Sequence, residues 1–175
     1  MPSQNRNSTR ETVTLGLLIA IALVLSYFER FIPMNIGVPG VKLGLANVVT
    51  LLCIGLYKPN RIYLLIVVRV MLASVIIGSM MSFWYSLAGG LLSGTAMLLT
   101  AWVLKDKVSL IGISAIGAIF HNFGQLIIVS FVTGSSYVAL TYFPMLMVSG
   151  IVTGIFIGLV GQMTKPYLVK VLIAA

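Results

Sequence analysis

From Thr12 to Met163 the chain is a succession of long apolar runs broken by short polar punctuation. A run of about 20 mostly apolar residues matches the hydrocarbon core of a bilayer. Six stretches qualify, at about residues 12–28, 43–57, 62–77, 86–104, 108–132 and 142–163. This pattern predicts an all-α integral membrane protein, a compact bundle of six transmembrane helices. The transmembrane domain covers 12–163, with a short polar segment at 1–11 before it and a tail at 164–175 after it. The short second and third runs predict broken or tucked helices, because irregular backbone survives in a bilayer only where protein covers it.

Composition agrees. Only 8% of residues are charged and 59% are hydrophobic, whereas a soluble domain is about 25% charged. A disordered chain is excluded too, since disorder needs low hydrophobicity. The three acids are Glu11, Glu29 and Asp106. They are too few for paired-carboxylate or two-metal catalysis. One cysteine, Cys53, and one histidine, His121, predict no metal site and no disulfide within the chain. No phosphate-binding G-x-x-x-x-G-K-[ST] loop is present.

The basic residues fall in a pattern. With six spans, Arg6, Arg10, Lys58, Arg61, Lys105, Lys107, Lys165 and Lys170 all lie on one side. Arg30 and Lys42, in the first long loop, lie on the other. Excess Lys and Arg mark cytoplasmic loops, so both termini are expected in the cytoplasm of a multi-pass cell-membrane protein. The net charge of +8 is thereby read as topology. Nucleic-acid binding is not expected, because the cations are spread over four loops rather than gathered on one soluble face. Ala20-Ile21-Ala22 imitates a signal-peptide cleavage site but sits inside the apolar run, so span one is read as retained.

Polar residues inside spans are expensive and mark cavities or partners. Arg69 sits near the middle of span three. It reads either as an anion-binding group or as a structural cap on the carbonyls of a broken helix. In span five, His121 and Gln125 are four apart and share a helix face, with Asn122 turned by about 100°. The three read as a polar ligand cavity or as interhelical hydrogen bonding. Glu29, Arg30 and Lys42 bound a loop whose Pro33, Gly37, Pro39 and Gly40 enforce a non-helical excursion. That loop reads as a cover over an outward-facing pocket or as a pair of snorkelling cations. Asn47 lies one turn deeper than Lys42. Small residues recur four apart, at Gly16 and Ala20 and at Gly150, Gly154 and Gly158, as close helix packing requires.

Several stretches carry a family resemblance. They are Lys42-Leu43-Gly44-Leu45-Ala46-Asn47, Ser86-Leu87-Ala88-Gly89-Gly90, Ser114 to Gln125 with its Gly117-Ala118-Ile119-Phe120-His121-Asn122-Phe123-Gly124-Gln125 core, and Pro144 to Gly154. Together the chain resembles the small membrane-protein family labelled heptaprenyl diphosphate synthase component I, or Gx transporter. That family is similar to the S-components of energy-coupling factor transporters, which capture vitamins and related micronutrients. The resemblance implies an S-component-like six-helix fold with a ligand held near the outer face, under the loop joining helices one and two. It also implies a transmembrane coupling subunit and two cytoplasmic ATPase subunits as partners. Helix one of S-components commonly docks through an Ala-xxx-Ala motif; the nearest matches here are Gly16-xxx-Ala20 and Leu18-xxx-Ala22.

The enzyme wording of the family label does not fit the residues. Prenyl diphosphate synthases of the usual kind use two Asp-rich clusters, and this chain has one Asp. The expected function is therefore a non-enzymatic, substrate-binding membrane subunit without a cofactor. Its ligand would contact Arg69, His121, Asn122, Gln125, Asn47, Lys42, Glu29 and Arg30, and its partner Gly16, Ala20 and Ala22. A vitamin-like, flavin, quinone- or isoprenoid-related ligand suits few cations among apolar walls. The alternative is a non-catalytic subunit assisting an enzyme of isoprenoid, quinone or flavin metabolism.

Overall fold

A computed structural model describes residues 2–29, 31, 44–77 and 80–174. These form six α-helices: α1 (Pro2–Glu29), α2 (Asn47–Cys53), α3 (Pro59–Ile77), α4 (Met80–Leu104), α5 (Leu110–Thr133) and α6 (Ser136–Ala174). There is no β-strand among the described residues. A single 3-10 turn, Lys105–Lys107, links α4 to α5.

Local sequence explains the boundaries. Pro59 opens α3, where its missing N–H has no helical partner to lose. The Ser109 side chain caps α5 by accepting from the Gly112 N–H at 3.2 Å. Gly134, at φ 63°, ends α5 in the left-handed conformation, so α6 begins at once and runs antiparallel to α5. Helix α1 begins at Pro2 rather than after the polar segment. Helix α6 carries Pro144 and Pro166 in its interior and continues through Lys165 to Ala174.

Five helices are long and apolar enough to cross a membrane. The expected second span is the exception. Helix α2 has 7 residues, a rise of about 10 Å against a hydrocarbon core of about 30 Å. Gly44 and Gly55, both at φ 82°, bracket it with backbone that no helix contains. All its residues are buried. It is thus a half-helix inside a ring of five long ones. The third span is not short; α3 has 19 residues.

The bundle is apolar outside as well as inside. Leu17 and Ile21 on α1, Val75 on α3, Phe131 on α5 and Phe156 on α6 are all exposed, as lipid-facing helices require. The interior holds two apolar clusters. One surrounds α2 with Leu18, Leu51, Ile62, Ile66, Met97 and Ile113. The other joins Tyr85, Leu126, Val129 and Leu146.

Helices α5 and α6 approach closely. A Cβ at Gly154 would stand 2.6 Å from the Cα of Ala115, and one at Gly158 would stand 2.5 Å from the Cα of Ile111. The small-residue spacing on α6 therefore packs the bundle internally. Arg61 approaches Glu11 at 3.9 Å, and Lys165 reaches the Ile54 carbonyl at 3.0 Å. These contacts bring the first part of α1, the start of α3 and the last part of α6 to one end. The antiparallel connections bring Lys105 and Lys107 to that same end.

Candidate functional site

Four elements converge on one polar site. Helix α1 contributes Glu29, the start of α2 contributes Gly44 and Asn47, α3 contributes Arg69, and α5 contributes His121. Glu29, Asn47, Arg69 and His121 are 6%, 2%, 4% and 3% exposed. Charged and polar groups at such depth hold together only through one another.

Asn47 is the link. Its Oδ1 accepts from Arg69 Nη2 at 3.4 Å, and its Nδ2 lies 3.1 Å from His121 Nδ1. Arginine only donates, so the amide orientation follows: Nδ2 faces the imidazole and donates to it. His121 Nδ1 is then the acceptor, and the ring proton sits on Nε2. The Glu29 carboxylate accepts from the Gly44 N–H, joining the last residue of α1 to the approach to α2.

Glycines make the room. A Cβ at Gly89 would stand 2.9 Å from the His121 ring, and one at Gly44 would stand 3.1 Å from the other edge of that ring. A Cβ at Gly90 would stand 3.3 Å from Arg69 Nη2. The Gly89-Gly90 pair of α4 thus admits the imidazole and the guanidinium side by side. In the sequence these glycines belong to a stretch that carries the family resemblance and do not read as site residues. Their signal was the adjacency of two glycines at the depth of His121.

The groups surround a cavity of about 20 Å³, lined among others by Ser26, Glu29, Gly44, Arg69, Ser86 and His121. That is room for about one water. Arg69 Nε, fully buried, meets no acceptor among the described residues. An unsatisfied guanidinium nitrogen costs about 1–3 kcal/mol or more, and an oxyanion is one kind of group chemically able to meet it.

The other expected residues fall elsewhere. Asn122 turns toward α6 and donates to the Leu146 carbonyl at 2.6 Å, where Gly150 leaves space for it. It ties α5 to α6 instead of facing the cavity. Gln125 is completely buried one turn beyond His121. Arg30 and Lys42 lie outside the described residues. Of the expected docking residues, Gly16 and Ala20 are exposed on α1, and nothing stands within 4 Å of a Cβ at Gly16. Ala22 is fully buried in the apolar cluster with Leu15 and Leu18, turned away from that exposed face. Among the described residues no three His, Cys, Asp or Glu gather as a metal site would need.

A second cavity, of about 280 Å³, lies between α5 and α6. Phe123, Leu126, Ile127, Leu140 and Phe143 make it almost wholly apolar, with Ser130 and Ser136 at its edge.

A family model described as heptaprenyl diphosphate synthase component I matches residues 18–164. The chain belongs to that family. The match begins within α1 and ends within α6, so every residue of the polar site that the structure describes falls inside it. No curated protein matches the chain, and no solved structure does. This member of the heptaprenyl diphosphate synthase component I family is a multi-pass helical membrane protein with a buried polar site.

Proposed function

We propose that the chain is the ligand-capturing membrane subunit of an uptake system of the energy-coupling factor type, and that it is not itself an enzyme. The observation that carries this reading is the Asn47-linked centre: Asn47, on a wholly buried half-helix, joins Arg69 of α3 to His121 of α5 beside a cavity, and one guanidinium nitrogen meets no acceptor among the described residues. A structural arginine would have its donors met by carbonyls. An arginine kept with a donor open favours a ligand bearing an oxyanion, a carboxylate or a phosphate. His121 and Asn47 add hydrogen-bonding edges, and Gln125 stands one turn farther along. The pocket would open outward, with both termini cytoplasmic; the gathering of Lys58, Arg61, Lys105, Lys107, Lys165 and Lys170 at one end supports this orientation. Gly16 and Ala20 on α1 supply a small-residue face for a coupling subunit. Energy would come from that subunit and two ATPases, since the chain has no phosphate-binding loop of its own.

The test is mass spectrometry of small molecules retained by the purified protein, repeated on Arg69→Ala and His121→Ala. Loss of one retained compound in both variants is expected. Unchanged retention in both would remove the pocket from the reading. Co-purification of a coupling subunit with ATPases tests the transport half.

A second reading has its own observation. The apolar cavity between α5 and α6 has the lining to hold a prenyl-like chain, and the family is described as a component of a prenyl-diphosphate-forming system. In that reading the chain is a non-catalytic membrane subunit assisting such an enzyme. Co-purification with the enzyme, and no uptake defect on deletion, would favour it.

A further inference from the structure

The seam between α5 and α6 changes character along its length. At the Lys107 end, Gly154 and Gly158 bring the helices to backbone contact with Ala115 and Ile111. Nearer Gly134, α6 has no glycine, and a cavity of about 280 Å³ opens between the helices. Phe123, Leu126, Ile127 and Ser130 line it from α5. Residues so spaced form one continuous helix face. Ser136, Ala139, Leu140 and Phe143 repeat the spacing on α6. Two matching stripes thus face each other across the gap.

The cavity is graded from end to end. Each stripe carries serine at the end nearest Gly134 and phenylalanine at the other. Phe123 and Phe143 meet edge to face at the deep end, with centroids 6.2 Å apart. The helix rises about 10 Å between Phe123 and Ser130, against about 15 Å for half of a hydrocarbon core. Leu126 backs the cavity by packing with Tyr85, Val129 and Leu146. The open side faces lipid: Phe123 and Leu140 are 43% and 70% exposed on the outside of the bundle. Spaces lined by Leu, Ile and Phe stay dry and take apolar guests, and here the surrounding bilayer supplies them.

The serine end selects among those guests. The Ser130 and Ser136 hydroxyls make no hydrogen bond among the described residues, whereas neighbouring Thr133 and Thr141 both bond to the carbonyl four residues earlier. Pro144, inside α6, has no N–H to return to the Leu140 carbonyl. These are neutral donors and acceptors. Between Lys107 and Lys165 the sequence has no Asp, Glu, Lys or Arg, so the lining offers no partner to a phosphate or an ammonium.

We propose that the cavity between α5 and α6 holds one hydrocarbon tail drawn sideways from the bilayer, and that this tail ends in a neutral hydroxyl bonded by Ser130 and Ser136. The ligand class is a long-chain alcohol, not a phospholipid or a prenyl diphosphate. The site needs neither uptake nor an enzyme partner. It shares with the second reading above only the presence of a hydrocarbon tail in this cavity.

The experiment uses the full chain in phosphatidylcholine nanodiscs, with hexadecanol carrying a mid-chain diazirine as the probe, and reads the photolabelled positions by peptide mass spectrometry. Label is expected within 123–130 and 136–143. Unlabelled hexadecanol is expected to compete at about tenfold lower concentration than hexadecyl phosphate, the factor that two neutral hydrogen bonds supply. Ala139→Phe fills the cavity and is expected to remove the label from both segments; Ile127→Trp fills it from the other wall should the first variant fail to fold. Joint Ser130→Ala and Ser136→Ala is expected to keep the label and lose the preference for the alcohol. Label spread evenly over the lipid-facing sides of all helices, or unchanged in the filled variants, overturns the site. Equal competition by hexadecyl phosphate overturns the neutral head while leaving the tail of the second reading in place. Equal labelling of the same segments by phosphatidylcholine with the diazirine in one acyl chain overturns the alcohol class. The second reading fails separately, on the absence of a co-purifying enzyme.

Discussion

Lys165 Nζ donates a 3.0 Å hydrogen bond to the carbonyl oxygen of Ile54. Ile54 directly follows the last residue of α2, and Gly55 leaves space for the ammonium 3.7 Å from its Cβ position. A cation at the C-terminal end of a helix meets both the dipole and the unpaired carbonyls. One lysine of α6 therefore anchors the C-terminal end of the half-helix that carries Asn47. In the sequence Lys165 reads only as one of the cytoplasmic charges.

Replacing Lys165 with Met leaves that carbonyl without its donor. The expected loss is about 1–3 kcal/mol of stability, read as a lower midpoint of thermal unfolding in detergent. Lys165→Arg is expected to recover part of it. An unaltered midpoint in Lys165→Met would show that water replaces the contact at no cost.

Gly89→Ala puts a methyl group 2.9 Å from the His121 ring and from the His121 carbonyl. The ring must move away from Asn47, or α4 must move away from α5. Retention of the co-purifying ligand is expected to fall at least tenfold, about 1.4 kcal/mol, while the protein remains folded by size exclusion. Gly90→Ala, at 3.3 Å from Arg69 Nη2, is expected to have a smaller effect of the same kind.

Asn122→Leu separates architecture from binding. It removes the 2.6 Å bond to the Leu146 carbonyl, a type of interhelical contact averaging about 0.6 kcal/mol and reaching about 1.7 in membranes. Thermal stability is expected to fall while ligand affinity holds. A selective loss of affinity at constant stability would instead put Asn122 in the pocket.

Gly154→Val tests the seam between α5 and α6. With the Cα of Ala115 already 2.6 Å from a Cβ there, the clash is with backbone and cannot be relieved by a rotamer. A cost of about 1–3 kcal/mol or more is expected, measured by thermal unfolding. Gly16→Val, where nothing stands within 4 Å, is the control and is expected to leave the midpoint unchanged.

The two halves of the polar site differ in how readily they read from sequence. Arg69 and His121 stand out because a charged or hydrogen-bonding side chain in an apolar run has few destinations. Asn47 reads in the sequence as one more ligand contact, yet it is the bridge between the other two. Its role depends on α2 stopping after 7 residues, which brings its amide to the depth of His121. Asn122 shows the reverse. It belongs to the His121 segment in sequence, but its 100° offset points it at α6. Ala22 likewise matches a docking spacing and is buried against Leu15 and Leu18.

Hydropathy is a local, one-dimensional quantity, and what it controls was settled by the sequence alone: helices throughout, membrane residence, the depth of Arg69 and His121, and the segregation of basic residues between the apolar runs. The tertiary structure decided which polar groups meet. Those meetings depend on left-handed backbone at Gly44 and Gly55, on glycines that let helices approach to backbone contact, and on the rotation of each helix about its axis. Each is a relation between distant segments, and hydropathy along one segment carries no record of it. The shortage of acids illustrates the division. Three acids in 175 residues argue against catalysis at the level of composition, but only the folded chain puts Glu29 in the cavity beside Arg69.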